Sequence, residues 1–255
     1  MVWALSQIED IFETELLYLP DYLCFTEDWY SVVSTYKLKY HFSYSSYMVI
    51  SQVEDAELLW RLARASRDIS QLSTTSAEDK KRLVYEAFVY AKKALEKNES
   101  SSAAHKWYAI CISDVGDYEG IKVKIGNAFI IKEHFERAIE LNPKDATSVH
   151  LIGLWCYSFA ELPWYQRNIA KVLFATPPTS TFEEALKYFQ MAEQVHPNFY
   201  SKNLLFLGKT YLKLKNKKLA AFWLLKAKDY PAHTEEDKQV QKEAAELLKS
   251  VGDKN

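Results

Sequence analysis

The sequence predicts an all-α fold in which pairs of helices stack into a solenoid, and three observations lead to this prediction. Only six glycines and seven prolines occur among the 255 residues, too few for the tight turns that an all-β fold of this length requires. The composition, 48% apolar and 26% charged, is typical of a chain that buries a core. One set of apolar spacings also recurs along the chain, and such self-similarity indicates a repeat architecture.

The second helix of each predicted pair carries a small or aliphatic residue, an apolar residue four positions later and an alanine three positions after that. In three of the four copies a proline follows within five residues, where it ends the helix. The copies are Ala87, Ala91 and Ala94; Ile131, Phe135, Ala138 and Pro143; Ala185, Phe189, Ala192 and Pro197; and Ala220, Leu224, Ala227 and Pro231.

The first helix of each pair is marked by large residues around a smaller one, at spacings of three and four that place them on one stripe of a helix. A small residue within the stripe lets a neighbouring helix approach closely. The copies are Leu59, Leu62, Ala63 and Ser66; Trp107, Ile110, Cys111 and Asp114; Val149, Ile152, Gly153 and Cys156; and Leu204, Leu207, Gly208 and Tyr211.

Together the two halves predict a tetratricopeptide-like (TPR-like) helical solenoid of about four helix pairs over residues 53–255. A single pair cannot bury its own apolar stripe, so successive pairs must stack. The last pair has nine positions between its halves, whereas the earlier pairs have roughly twelve, eight and twenty more, which we expect as inter-helix insertions on one edge. Thr234 and the acids after it predict a C-terminal capping helix over 234–250. The predicted pairs are roughly 54–98, 101–143, 145–197 and 200–231.

Residues 1–52 form a separate acidic segment that is rich in aromatic side chains and lacks the repeat spacing. An amphipathic helix is predicted over 6–19, and the fold of the rest of the segment stays open. The first twenty residues contain four acids and no Lys or Arg, the opposite of a secretory or mitochondrial leader. We therefore expect no such leader.

Several classes of function have no recognisable motif in the sequence. A nucleophile elbow, a phosphate-binding loop and a dinucleotide glycine set are all lacking, so we expect neither enzyme activity nor a cofactor. The cysteines and histidines have no metal-ligand spacing, and residues 114–120 place a glycine where a calcium loop needs an oxygen ligand, which favours an inter-helix turn there. No apolar stretch is long enough to predict a transmembrane segment. A pI of 6.3, together with the lack of any known nucleic-acid-binding motif, argues against nucleic acid as a partner.

Four stretches of the sequence resemble the regulator of microtubule dynamics family, and the resemblance runs from about Glu54 to the C-terminus. It implies a TPR-like, non-enzymatic cytoplasmic protein that associates with microtubules, the spindle and spindle poles, with some of it at mitochondria. A membrane-anchored relative tethers organelles and binds phospholipid through its TPR-like domain, which the resemblance implies as an alternative ligand. The stretches are WYAICISDVGDYEGIKVKIG (107–126), HFERAIELNP (134–143), GLWCYSFAELPWYQRNIAKVLFATPP (153–178) and NFYSKNLLFLGKTYLKLKNKKLAAFWLLKAKDYPAH (198–233).

The first candidate site is a run of eight lysines between residues 201 and 228 that contains no acid. Such a run raises the local positive potential and favours an acidic partner, with an attraction that salt weakens. The acidic tails of tubulin are such a partner, so we predict a microtubule contact here; a solvated lysine surface is the alternative. The residues are Lys202, Lys209, Lys213, Lys215, Lys217, Lys218, Lys226 and Lys228.

The second candidate site is the long insertion of the third pair. Arg167 and Lys171 are four residues apart and are expected on one side of a short helix, with Trp164 and Phe174 at its ends. Aromatic and basic side chains together suit a phospholipid head group or a partner peptide. In the alternative interpretation the aromatic side chains fill the groove of the solenoid. The residues are Trp164, Tyr165, Arg167, Lys171 and Phe174.

Two hypotheses about function follow from these observations. The leading hypothesis is a microtubule-associated adaptor whose basic last repeats bind microtubules while its concave groove holds a peptide from another protein. The second is a phospholipid-binding or organelle-contact module that uses the groove. A receptor for acidic peptide C-termini ranks third, because only Lys202 and Asn203 match the residues that it requires.

Overall fold

The computed structural model describes residues 55–173 and 176–252, and the regular structure of these residues is entirely α-helical. The predicted helix at 6–19 and Phe174 lie outside the described residues. We number the helices of the described residues in chain order. They are α1 (Ala56–Gln71), α2 (Ala77–Lys97), α3 (Ser102–Glu119), α4 (Ile121–Leu141), α5 (Ala146–Glu161), α6 (Trp164–Leu173), α7 (Phe182–Val195), α8 (Ser201–Lys213), α9 (Lys217–Lys228) and α10 (Glu235–Gly252).

Side-chain caps fix where many of these helices begin. Ser76 accepts a hydrogen bond from the backbone N–H of Asp79 at the start of α2, and Asn216 accepts one from the N–H of Leu219 at the start of α9. Thr181 begins α7 with a capping box, in which its hydroxyl and the Glu184 carboxylate each accept a backbone N–H of the other residue. Such caps satisfy N–H groups that the first helical turn leaves without partners.

Each copy of the repeat supplies two long helices, and in the first, third and fourth copies these pack against each other as the pattern predicts. Helix α1 packs on α2, α5 on α7, and α8 on α9, while α10 packs on α9 after the last pair. Successive pairs also meet, since α4 contacts α5 and α7 contacts α8. The prediction of an all-α, TPR-like fold with a capping helix is therefore confirmed.

The chain divides into two compact units, one ending at residue 111 and the other starting at residue 112, so the division falls within α3. In the first unit the repeat positions form the core between α1, α2 and the start of α3. The buried apolar residues of this core are Leu59, Trp60, Ala63, Ala87, Tyr90, Ala91, Ala94, Ala104, Trp107 and Cys111.

In the second unit the repeat residues of the last pairs are buried in the same way. The side chains of Phe189 on α7 and Leu224 on α9 are completely buried. The capping helix α10 covers the end of the last pair, which would otherwise expose its apolar stripe to water. The cluster that joins α8, α9 and α10 consists of Leu204, Leu205, Leu224, Ala227, Val240 and Ala244.

The additional residues of the first two pairs lengthen the helices instead of forming loops. Only residues 72–76 separate α1 from α2, and Gly120 alone separates α3 from α4. Gly120 has φ of +88°, a left-handed conformation that glycine adopts without steric cost. The predicted turn over residues 114–120 is therefore wrong for all but its last residue, because one glycine suffices to reverse the chain. In the third pair the additional residues form a separate helix, α6.

Candidate functional site

The eight candidate lysines do not form one continuous basic surface. Within the described residues, at least four of them form ion pairs with acids, and three of these acids lie far away in the sequence. Although the run itself contains no acid, α5 and α10 bring carboxylates to it and neutralise part of its charge. The pairs are Lys202 with Glu236 (2.6 Å), Lys209 with Glu243 (2.8 Å), Lys213 with Glu161 (2.6 Å) and Lys228 with Asp229 (3.3 Å).

The two lysines of α8 nearest its start contribute to packing against α10. Lys202 and Lys209 are half-buried, and the ammonium group of Lys209 also lies 4.8 Å from the ring centroid of Phe206. A cation in this position is stabilised by both the carboxylate and the aromatic face. These lysines hold the capping helix in place, and they are poorly presented to a partner.

The lysines best placed to meet a partner lie in the turn between α8 and α9 and at the first two positions of α9. Lys215, Lys217 and Lys218 are exposed, and we call them the turn lysines. The turn has a defined shape, since Lys215 adopts φ of +61° and Asn216 caps α9. No ion pair joins Lys215 or Lys218 to another residue in the part of the chain that the structure describes.

Helix α9 also presents apolar side chains that the sequence interpretation did not single out. Leu219, Phe222 and Leu225 are 38%, 51% and 48% exposed, and Lys218 and Lys226 lie among them on the same side of the helix. We call these five residues the α9 outer face. The sequence could have indicated this face, because Leu219, Phe222 and Leu225 are spaced three residues apart and form a second apolar stripe opposite the repeat positions.

The insertion helix α6 exposes most of its apolar side chains. Trp164 is 75% exposed and Val172 is 82% exposed, while Ala170 is buried. The alternative in which Trp164 fills the groove of the solenoid is therefore wrong, because most of its side chain is open to solvent. The other exposed apolar residues of α6 are Tyr165, Ile169 and Leu173.

Arg167 and Lys171 lie one turn apart in α6, as their spacing predicts, but only Lys171 is free to meet a ligand. The guanidinium of Arg167 donates a hydrogen bond to the backbone carbonyl oxygen of Phe159 at 2.9 Å, and the side chain is half-buried. Carbonyl groups in the last turn of a helix lack intrahelical partners, and Phe159 lies in the last turn of α5. Arg167 thus fastens α6 to α5, whereas Lys171 is exposed.

A buried polar cluster lies between α5, α7 and α8. One ring nitrogen of His150, Nδ1, lies 2.9 Å from Oδ1 of Asn203, whose side-chain amide donates to the backbone oxygen of Phe189 at 3.2 Å. Burial lowers the pKa of His150 to about 4, so the ring is neutral near pH 7. Since His150 and Asn203 are almost completely buried, the cluster is internal and does not meet a partner.

Two potentially nucleophilic side chains of α5 are held in their protonated form. Burial raises the pKa of the Cys156 thiol and of the Tyr157 hydroxyl, which makes both poor nucleophiles at neutral pH. In residues 55–173 and 176–252, no group of three His, Cys, Asp or Glu side chains is arranged to hold a metal ion. None of the helices described above is both long and apolar enough to span a bilayer.

Comparison with known proteins adds information on the family. The family described as regulator of microtubule dynamics protein 1-3 matches residues 27–252. The chain is 69% identical over 258 residues to regulator of microtubule dynamics protein 1 of Pongo abelii, covering 100% of this chain and 76% of that protein. It is 80% identical over 196 residues to the Homo sapiens protein of the same name, covering 77% and 62%. The match begins upstream of Glu54, so part of the segment 1–52 also follows the family.

Solved structures support the fold. The chain is similar to a thermophilic TPR protein of Thermus thermophilus, with a TM-score of 0.54 and 15% identity over 78% of this chain and 84% of that one. At this identity the similarity concerns the fold alone, and it agrees with the TPR-like arrangement of helix pairs.

Proposed function

Because this chain belongs to the regulator of microtubule dynamics family, we propose that it is a non-enzymatic, microtubule-associated adaptor that contacts the acidic tails of tubulin through the turn lysines. The names of the relatives point to microtubules. The observation that carries the proposal for the site is the exposure of Lys215, Lys217 and Lys218 on a turn of fixed shape.

The physical chemistry of the turn suits an extended acidic chain. Such a chain needs no shaped pocket, because attraction between opposite charges does not depend on close packing. Each exposed lysine–carboxylate pair contributes roughly 0.2–1 kcal/mol, so three lysines together give a modest affinity that many tails on one polymer then raise. We therefore expect the contact between the turn lysines and the tubulin tails to be weak, multivalent and sensitive to salt.

The test is pelleting of the full chain with stabilised microtubules, either intact or with the acidic tails removed by protease. The triple variant Lys215→Glu, Lys217→Glu and Lys218→Glu is expected to lose most of its pelleting with intact microtubules. Lys213 stays unchanged, because a glutamate there would face Glu161, its partner at 2.6 Å, and could disturb the fold.

A matched control changes the net charge equally at exposed lysines outside the site: Lys81→Glu, Lys122→Glu and Lys144→Glu. This variant should pellet like the parent chain. Equal loss in both triple variants would show that only the total charge matters, and binding that survives removal of the tails would contradict the proposed partner. In cells, the same contact predicts that the protein is found on the spindle and at spindle poles. The triple variant of the turn lysines, which we call the turn variant, should be absent from both.

A second function, contact with phospholipid, is favoured by the exposed apolar side of α6. Trp164 and Tyr165 lie at one end of this helix, and amphipathic aromatic rings prefer the boundary between head groups and acyl chains. Val172 and Leu173 could then enter the acyl region, with Lys171 beside an anionic head group. This contact would use the surface of α6 and not the groove.

Flotation with vesicles of phosphatidylcholine and phosphatidylserine tests this second function. The variant Val172→Glu with Leu173→Glu is expected to abolish flotation, because charges on the inserted side are costly to desolvate. Val89→Glu, at an exposed apolar residue of α2, serves as the control. If the full chain does not float, or if both variants float equally well, α6 is not a membrane contact.

A further inference from the structure

The α9 outer face has a composition that an acidic tail does not explain. An extended acidic chain would use the lysines, yet Leu219, Phe222 and Leu225 expose large apolar areas beside them. We propose that the α9 outer face is a docking site for an acidic, amphipathic helix of a protein partner. This inference does not rest on the proposed microtubule contact.

The spacing of the apolar residues fits a helical occupant. Leu219, Phe222 and Leu225 are three residues apart, so they form a stripe that spans about 9 Å along the helix axis. A partner helix with apolar residues at positions i, i+3 or i+4, and i+7 presents a stripe of about the same length. The two stripes can therefore pack side by side.

The face is held rigidly from behind, which lowers the cost of ordering it when a partner binds. Ala220, Leu224 and Ala227, on the opposite side of α9, are completely buried. Leu224 packs so closely against Gly208 of α8 that a Cβ atom at position 208 would clash with its side chain. The outer face is thus presented on a fixed scaffold.

The charges beside the stripe favour a negatively charged partner. Helix α9 contains four lysines and no acid. The ammonium group of Lys226 lies 5.4 Å from the ring centroid of Phe222 and 5.0 Å from that of Trp223, which holds the charge at the edge of the stripe. Carboxylates on the flanks of a partner helix would meet this lysine and Lys218.

The same charges argue against a second copy of this chain as the occupant. Two outer faces in contact would bring Lys218 and Lys226 of one copy against the lysines of the other, and like charges brought together destabilise an interface. Complementary charge therefore favours a different protein, with acidic flanks.

The experiment is a selection from a displayed library of helical peptides with random charged and apolar positions, using the full chain as the target. Binders to the variant Phe222→Asp are removed first, so that the survivors depend on this face. We expect survivors with an apolar stripe at i, i+3 or i+4, and i+7 and with Asp or Glu on both flanks. Basic survivors, survivors without a stripe, or no enrichment at all would overturn the proposal.

A selected peptide is then labelled and its affinity measured by fluorescence anisotropy. Phe222→Asp and Leu225→Ser should each weaken binding at least about tenfold, and Lys218→Glu with Lys226→Glu should do so at low salt. Val89→Ser, on α2, should leave the affinity unchanged. Two variants of the stripe are used in case one of them fails to fold, which circular dichroism reports.

Two controls separate the proposed occupant from other classes. A peptide of the same composition in scrambled order keeps its charge and loses its stripe, so equal affinity for it would overturn the proposal in favour of simple charge attraction. Flotation with anionic vesicles that depends on Phe222 would assign the face to a membrane surface instead of a protein helix. Unchanged microtubule pelleting by Phe222→Asp is expected, since the tail contact needs only lysines.

Discussion

At the scale of single residues, His150 shows how burial sets protonation. Its ring lies among aromatic side chains, with centroids 5.4 Å from Phe189 and 5.2 Å from Tyr200, and it is paired with Asn203. Burial lowers the pKa of His150 from its ordinary value of 6.5 to about 4, because the charged form cannot be hydrated there. The neutral ring thus belongs to the core of the second unit.

This shift predicts how stability depends on pH. Between pH 6.5 and 4 the unfolded chain binds the proton more readily than the folded chain. The stability that the neutral ring contributes is therefore complete above pH 6.5 and is lost as the pH falls toward 4. The contribution lost between pH 6.5 and 5 is on the order of 2 kcal/mol. Urea unfolding of the parent and of His150→Gln measures it. An equally steep loss in both proteins would contradict the assignment to His150.

A second residue, Asp237, ties the capping helix to α8. Its carboxylate accepts hydrogen bonds from the hydroxyl of Ser201 at 2.7 Å and the hydroxyl of Thr234 at 2.8 Å, and from the backbone N–H groups of His233 and Thr234. Ser201 is completely buried, so its hydroxyl would lack water as a substitute for this carboxylate.

Replacement of Asp237 by alanine should lower the free energy of unfolding by about 2–3 kcal/mol, since its hydrogen bonds at the start of α10 are lost and the buried Ser201 hydroxyl is left without this partner. Glu235→Ala, at the highly exposed neighbour that pairs with Lys238, should cost less than about 1 kcal/mol. Thermal unfolding of the two variants compares them directly. Similar losses would mean that α10 is held by its apolar contacts alone.

At the scale of helices, the glycines of the repeat determine how closely pairs pack. A Cβ atom on Gly153 would lie 2.6 Å from the ring of Phe189, and one on Gly208 would lie 2.6 Å from Leu224. The large residue of the second helix therefore sits on the glycine of the first helix in both of the last two pairs. This contact joins the two halves of the repeat.

Alanine at either position should destabilise the protein. Gly153→Ala and Gly208→Ala are each expected to lower the free energy of unfolding by about 1–3 kcal/mol, because the facing side chains are buried and cannot move away. Gly126→Ala, in α4, has no atom within 4 Å of the new Cβ and should be neutral or stabilising by up to about 1 kcal/mol. Urea unfolding tests the set. Stabilisation at all three sites would show that helix propensity outweighs packing.

At the scale of the whole molecule, net charge does not favour an acidic partner. The chain carries 32 basic and 34 acidic side chains, for a net charge of −2. Attraction to tubulin tails must therefore come from a local group of lysines and act over a distance of about 8 Å at physiological ionic strength.

The proposed microtubule contact is thus expected to weaken steeply with salt. If three exposed pairs each lose about 0.5 kcal/mol between low and physiological salt, the affinity falls about tenfold. Pelleting of the full chain at a series of salt concentrations measures how steeply the affinity falls. The affinity of the turn variant should hardly depend on salt. A parent affinity that does not change with salt would contradict an electrostatic contact.

Much of the fold followed from local spacing. The repeat residues Leu59, Val149 and Leu204 mark first helices, Ala91 and Phe189 mark second helices, and all of them are buried. Spacings of three and four describe one side of a helix whatever its surroundings, so amphipathic helices and their pairing can be predicted without tertiary information.

The candidate sites could be predicted only in part, because accessibility depends on residues far away in sequence. Lys202 meets Glu236 across 34 positions, and Lys213 meets Glu161 at the end of α5. Nothing in the run of lysines itself shows that these carboxylates are near. Likewise, the exposure of Trp164 and the anchoring of Arg167 follow from where α6 attaches to α5.

Periodicity and motifs are properties of neighbouring residues, and they were enough to predict the helix pairs, the core positions of the repeat and the family. Three features became visible only in the folded chain: the ion pairs of the lysines, the extension of helices by the additional residues of the first two pairs, and the apolar stripe among the lysines of α9. The physical reason is that ion pairs and burial act over a few ångströms in space. Such short distances are set by how helices stack, and the order of residues along the chain does not record them.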